Sequence, residues 1–306
     1  SMSISPPPAL HIFAPAKINL FLHITGKRAN GYHDLDSLVT FADIGDTLTL
    51  EPTNAPALEI IGDHSDGFGE VERDCSPDSH NLVAKALWGL AEMTGQSPNI
   101  KITLDKYLPL SSGIGGGSAD AAAALWGLLK CWDIAPQSVP DLDGLLLRLG
   151  ADTPVCFHCN SAQMRGIGED ITPYRDFPEI PCVLVNPGKS CSTQDIFQTL
   201  PPLYSGAVNL PPAGFASIEA LCDYLRAHTC NDLQNTAARF VPEINTVLDA
   251  IQAADDCKLA RMSGSGATCF GLFEEEEAAK AAQRKLAKDH PAWWVRFAWL
   301  NRPGRY

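Results

Sequence analysis

The chain has no apolar run that approaches a membrane span, no low-complexity tract and no internal repeat. A spanning helix needs about 20 mostly apolar residues, so a helical membrane protein is excluded. The opening Ser1-Met-Ser-Ile-Ser-Pro-Pro-Pro8 lacks the basic and apolar regions of a secretory signal, and a cytoplasmic protein is expected. Basic charge is short as well: 23 Lys and Arg stand against 36 Asp and Glu, a formal net charge of −13. Nucleic acid is therefore not an expected partner. A small anionic substrate stays open, because a few local N–H groups and lysines override the global field. Metal-ligand pairs at finger spacing are also missing. The ten cysteines are spread through apolar stretches, which in a chain this long fits reduced core thiols better than a disulfide framework. Cys156-Phe-His-Cys159 has no second pair to complete a zinc site and reads as ordinary packing.

What is present starts with a loop. Leu108-Pro-Leu-Ser-Ser-Gly-Ile-Gly-Gly-Gly-Ser-Ala-Asp120 holds four glycines in the five positions from Gly113 to Gly117, and an alanine-rich helix expected over Ser118–Cys131 follows at once. Glycines let successive N–H groups turn toward one point, and a helix start adds free N–H groups and the positive end of its dipole. The combination is a cradle for phosphate. It is neither of the two commonest kinds. No lysine follows Gly117, as a Walker A loop requires, and neither Gly113 nor Gly115 finds a glycine at the sixth position of a dinucleotide fingerprint.

A chain of 306 residues with 45% hydrophobic content favours two domains, here placed at residues 1–160 and 161–306. Alternation over Ala16–Ile24 predicts a half-buried strand, with Ala16, Ile18, Leu20, Leu22 and Ile24 on one face and Lys17, Asn19, Phe21 and His23 on the other. Asn30-Gly31 marks a tight turn, then extended runs are expected at Tyr32–Phe41, Asp46–Glu51 and Ala57–Ile61. A helix over Ser79–Met93, a strand over Asn99–Asp105 and a helix over Asp141–Leu149 complete the first half. The second half reads as strands at Ala162–Arg165 and Cys182–Val185, a proline-rich loop at Leu200–Pro212, and helices at Ser217–Ala227, Leu233–Phe240 and Pro242–Ala253. It ends strand (Lys258–Met262), strand (Ala267–Phe273), helix (Glu275–Lys288), strand (Trp293–Leu300), an order that suggests an antiparallel α+β sandwich of the split βαβ kind.

Two charged residues need a decision. Lys17 and Asn19 share one face of the first strand, which by itself is a solvated face. Asp152, in Gly150-Ala-Asp-Thr-Pro154, fits an N-cap before a helix with proline in its first turn. It also fits a general base for a substrate hydroxyl.

Three segments, Pro15-Ala-Lys-Ile-Asn-Leu20, Pro109-Leu-Ser-Ser-Gly-Ile-Gly-Gly-Gly-Ser-Ala-Asp120 and Met262-Ser-Gly-Ser-Gly-Ala267, resemble the three motifs of the GHMP kinase superfamily. Ile24-Thr-Gly-Lys-Arg-Ala-Asn-Gly-Tyr-His33 and Ser192-Thr-Gln-Asp-Ile-Phe197 are similar to a branch that phosphorylates a cytidine-diphosphate-linked alcohol on the non-mevalonate route to isoprenoids. The resemblance runs from about residue 12 to residue 300. It implies an α+β fold: a ribosomal-S5-like N-terminal domain, a ferredoxin-like C-terminal domain with its last strand against the first domain, and an active site between them.

The resemblance also implies roles. Asp152 matches the catalytic base and Lys17 its partner. Lys106, Pro109, Gly113, Ile114, Gly115, Gly116, Gly117, Ser118 and Ala119 match the ATP site, with Asn81 beside the adenine. Asn19, Tyr32, His33, Thr193 and Phe197 match the substrate site, in which two rings sandwich the cytosine while His33 reads its edge. ATP and Mg²⁺ are the implied cofactors, with Ser118 a candidate for the metal. Two other readings stay open at this point: a sister kinase for homoserine or a mevalonate-type alcohol, and a silent nucleotide-binding regulator. The oligomeric state, monomer or homodimer, is left open too.

Overall fold

The computed structural model describes residues 8–302; residues 1–7, where the signal-poor start falls, lie outside them, as do residues 303–306. Strand β1 (Leu10–Lys27) and strand β2 (His33–Pro52) form one long antiparallel hairpin around the Asn30-Gly31 turn. The runs expected at 32–41 and 46–51 are thus a single strand. After β3 (Ala57–Ile61), helix α1 (Leu82–Thr94) begins three residues later than expected, because the Asn81 side chain caps it by accepting the Val83 N–H. Then come β4 (Ile100–Asp105), α2 (Gly116–Cys131), α3 (Leu142–Leu149) and α4 (Thr153–His158). The hairpin β5 (Ala162–Gly166) and β6 (Asp170–Pro173) returns to pair with β2.

The remaining elements are β7 (Ile180–Asn186), α5 (Thr193–Thr199), α6 (Ile218–His228), α7 (Gln234–Phe240), α8 (Glu243–Gln252), β8 (Leu259–Met262), β9 (Cys269–Leu272), α9 (Glu276–Asp289) and β10 (Trp294–Leu300). Their strands lie in the order β10-β7-β9-β8, all antiparallel. This is the split βαβ arrangement expected from the element order, in ferredoxin-like form. Leu300 at the end of β10 also pairs with Ala42 of β2, which carries the sheet from one half into the other.

One expectation for β1 is corrected. Its inward residues do not share a face: Ile12, Ala14, Leu22 and Ile24 enter the core beneath α1 and α2, whereas Ala16, Ile18, Leu20 and Phe21 enter the core of the second half. The cause is a pair of irregularities in the β1–β2 register, at Pro15/Lys17 and at Asn19/Phe21. Each bulge shifts the alternation and re-aims the side chains beyond it. Between them Lys17 and Asn19 turn toward α2. The strand is not half-exposed either, since Lys17 and Asn19 are 2% and 1% exposed.

Helix α2 runs through the middle of the first half. Ala119 and Ala121–Ala124 are all buried, and their small side chains let α1, β1 and α4 approach on every side. Among the described residues, no helix is long and apolar enough to cross a membrane.

Candidate active site

A cleft of about 770 Å³ opens between the two halves, lined by Lys17, Lys106, the 109–118 loop, Asp152, Thr193 and Phe197. The loop explains its own glycines. Gly113 and Gly115 take left-handed conformations, φ +78° and +74°. A Cβ on Gly113 would lie 2.3 Å from the Ser263 carbonyl oxygen, and one on Gly115 would lie 2.9 Å from the Lys17 Cβ. Helix α2 starts at Gly116, two residues earlier than expected, and no side chain caps it. Its first-turn N–H groups therefore face the cleft unclaimed by a cap, as an anion site requires. Ile114 and Ala119 are buried beneath the loop and do not line the cleft.

Asp152 stands at the N-cap position of α4, yet its side chain makes no capping bond. Its carboxylate lies 3.1 Å from Lys17 Nζ instead, and is about one-third exposed against 3% for the lysine side chain. Lys17 Nζ also donates to Asn19 Oδ1 at 2.6 Å, and Asn19 Nδ2 donates to Ser37 Oγ at 2.9 Å. Asn19 sits behind the lysine and fixes its direction. An acceptor hydroxyl entering the cleft would meet a carboxylate held in place by a neighbouring cation.

Lys106 is at the cleft floor, but its ammonium is committed. It bonds Asp46 Oδ2 at 2.6 Å and Asp120 Oδ2 at 3.0 Å, with all three side chains buried. Burial works against the Lys106 charge, but Asp120 and Asp46 outweigh it and hold its pKa above the usual lysine value. Asp46 further accepts the N–H groups of Tyr107 and Leu108 at 2.8 and 2.9 Å, which pins the chain leading to Pro109. One cation serves two carboxyls, and burial, then Asp46, pushes the Asp120 carboxyl well above the usual range. Asn81 lines the same end of the cleft, and its amide is used by α1 and by the Glu72 carbonyl.

The opposite wall belongs to the second half. Phe197 of α5 lines it, and the His33 ring lies 5.3 Å from the Phe197 ring, tilted by 48°. Burial, then Lys27, lowers the His33 pKa, which favours the neutral imidazole. Thr193 Oγ1 pairs with Ser265 Oγ at 2.7 Å, joining α5 to the 263–267 loop. Tyr32 is 59% exposed on the hairpin tip and does not line the cleft. Sequence reasoning missed Asp46, Phe68 and Glu72, and quoted Ser263 and Ser265 within a motif without giving either a role of its own. Asp120 stood in the quoted motif without a role, although an aspartate within a run of alanines is itself a signal of a buried partner.

The family model for the GHMP kinases N terminal domain matches residues 81–160, and that for GHMP kinases C terminal matches residues 214–292. A 4-diphosphocytidyl-2-C-methyl-D-erythritol kinase of Roseobacter denitrificans is 45% identical over 301 residues, covering 96% of this chain and 95% of that protein. A protein of the same name from Paramagnetospirillum magneticum is 45% identical over 286 residues, covering 93% and 96%. Among solved structures, that of a 4-(cytidine 5'-diphospho)-2C-methyl-D-erythritol kinase superposes with a TM-score of 0.76 at 29% identity, covering 96% of this chain and all of that one. A homoserine kinase from Cytophaga hutchinsonii shares the fold, with a TM-score of 0.64 at 17% identity and coverage of 97% and 96%.

Proposed function

The chain belongs to the GHMP kinase family, in its 4-diphosphocytidyl-2-C-methyl-D-erythritol kinase branch, and from that premise we propose how its cleft works. The substrate is 4-diphosphocytidyl-2-C-methyl-D-erythritol, and the γ-phosphoryl group of ATP goes to its 2-hydroxyl. The products are ADP and the 2-phosphate, an intermediate of non-mevalonate isoprenoid synthesis. The observation that carries this reading is the Lys17–Asp152 pair, 3.1 Å apart beside the uncapped start of α2.

ATP lies along the 113–118 loop, with first-turn N–H groups of α2 on its phosphates. Asp152 takes the proton of the 2-hydroxyl, and that oxygen attacks the γ-phosphorus in line. Lys17 holds the Asp152 carboxylate in place and balances charge on the transferring group. No phosphoenzyme is expected, since Asp152 alone among these groups is a plausible nucleophile and it is occupied as the base. Phe197 and Tyr32 hold the cytosine, with His33 at its edge. Tyr32 must move inward from its exposed position to do so.

Mg²⁺ travels with the nucleotide and neutralises phosphate charge. Among the described residues no three His, Cys, Asp or Glu side chains gather into a metal cage. The Ser118 hydroxyl, which lines the cleft at the start of α2, is the residue that would hold the ion beside the phosphates. The nucleotide-linked substrates also favour the cytoplasm as the place of work.

The test is ADP release with ATP and, in turn, the cytidine substrate, homoserine and mevalonate, with the product located by phosphorus NMR. Turnover confined to the cytidine substrate and a phosphomonoester at its 2-position are expected. Equal turnover with a simple alcohol refutes the substrate.

A further inference from the structure

Between the register shifts at Pro15/Lys17 and Asn19/Phe21, strand β1 pairs with β2 on one edge and is held by the walls of the cleft on the other. The Lys17 N–H donates to the Ile114 carbonyl of the glycine loop at 2.9 Å. The Asn19 N–H donates to Ser263 Oγ at 3.0 Å, and the Leu20 carbonyl accepts from the Arg261 guanidinium at 2.8 Å. β1 pairs only with β2 among the described strands, so the backbone groups on its other edge are open to the loop and β8-side partners that take them up.

Ser263 has a second bond. Its hydroxyl, fully buried, donates to the Gly113 carbonyl at 3.1 Å. One hydroxyl from the second half thus joins the strand that carries Lys17 to the loop that forms the phosphate cradle. Ser263 is itself firmly held: its N–H donates to the Thr268 carbonyl at 3.0 Å, and Asn231 Nδ2 donates to the carbonyls of Met262 and Gly264 on either side, at 2.8 and 2.9 Å. Its loop presses on the cradle closely, since a Cβ on Gly264 would lie 2.5 Å from the Gly113 carbonyl oxygen.

We propose that Ser263 is a positioning residue for the transfer step, its hydroxyl setting the distance between the Lys17–Asp152 pair and the phosphate cradle. The inference rests on the phosphoryl-transfer reading given above. Removing the hydroxyl leaves a buried N–H and a buried carbonyl unpaired, and strand and loop drift apart by a fraction of an ångström. The Lys17 N–H keeps its bond to the Ile114 carbonyl, so the loop shifts without parting from the strand and ground-state binding of ATP and the cytidine substrate changes little. The loss therefore falls on turnover, where a misplacement of about 1 Å is worth roughly 10²-fold.

The experiment compares Ser263→Ala and Ser263→Thr with wild type by steady-state kinetics and thermal melt, and repeats Ser263→Ala in a Lys17→Met background. The expected result is a kcat lower by about 10- to 100-fold in Ser263→Ala, with both KM values and the melting temperature nearly kept. Ser263→Thr, which keeps a hydroxyl, retains most of the turnover. In the Lys17→Met background the alanine change has little further effect, because two residues that act as a unit are not additive. A normal kcat, or a low melting temperature with both KM values raised, overturns the proposal. Amide NMR signals of Lys17 and Gly113 read the same displacement without turnover: they move in Ser263→Ala, and unchanged signals overturn the inference. A wild type that releases no ADP with the cytidine substrate refutes the kinase reading instead.

Discussion

Lys17 illustrates how far a residue can be read before its surroundings are known. As one of two polar side chains on a strand, it looked like part of a solvated face, and only its motif pointed to a cleft. The structure buries it and gives it Asp152 at 3.1 Å and Asn19 at 2.6 Å. A cation held this way acts on charge that develops during transfer, so Lys17→Met is expected to lower kcat by on the order of 10²–10³-fold, with a smaller change in either KM. Steady-state kinetics checks this, and an effect confined to the KM for ATP would make Lys17 a plain phosphate ligand.

Asp120 was legible as a residue type but not as a charge state, because its neighbours Lys106, just after β4, and Asp46, in β2, meet it only in the fold. Burial, then Asp46, raises its carboxyl above the usual range in the folded protein. The unfolded chain loses that proton near pH 4, so the folded form binds more protons above that pH. The associated stability is present below the unfolded value and is lost as pH rises through the folded one. Asp120→Asn carries no such proton. Its melting temperature relative to wild type should therefore climb between about pH 4 and neutrality. Melts over that range check it, and parallel curves for the two proteins would contradict it.

At the scale of elements, the glycine loop and α2 were readable because their chemistry is local: glycines turn N–H groups and alanines let a helix be buried. The bulges of β1 were not. A period of two predicts one inward face, and a register slip that depends on the partner strand leaves no mark in the strand's own sequence. The short elements α5 and β6 carried too little pattern to be placed, although α5 bears Phe197. That helix permits a clean separation of ligands. Phe197→Ala should weaken the cytidine substrate by about five- to a hundred-fold, the loss of about 1–3 kcal/mol expected for one face of a base stack. ATP affinity should hardly change, because the cradle lies on the other wall. Phe197 is half-buried and packs partly on the core, so a lower melting temperature accompanies the change. Calorimetric titration of each ligand decides, and equal losses for both would return Phe197 to a core role.

Over the whole molecule, the order of elements already contained the second half: strand, helices, two strands, helix and strand can close as an antiparallel split βαβ sheet, and they do. The order could not show that one hydroxyl of the second half bridges the strand of Lys17 and the glycine loop, or that a strand of the first half is held by a loop of the second. Such contacts span more than two hundred residues, from Asn19 to Ser263. They make the cleft a joint product of both halves, with the base, its lysine and the cradle on one side and the substrate ring on the other. The most direct test of this arrangement is the rate of ADP release with and without the cytidine substrate, measured side by side on wild type and Asp152→Asn. Asp152 makes no capping bond, so the amide should leave α4 and ATP binding intact. The expected result is substrate-dependent ADP release by wild type and a kcat roughly 10²–10⁴-fold lower in the variant, with ATP still bound. A near-normal kcat in Asp152→Asn would contradict the account at its centre.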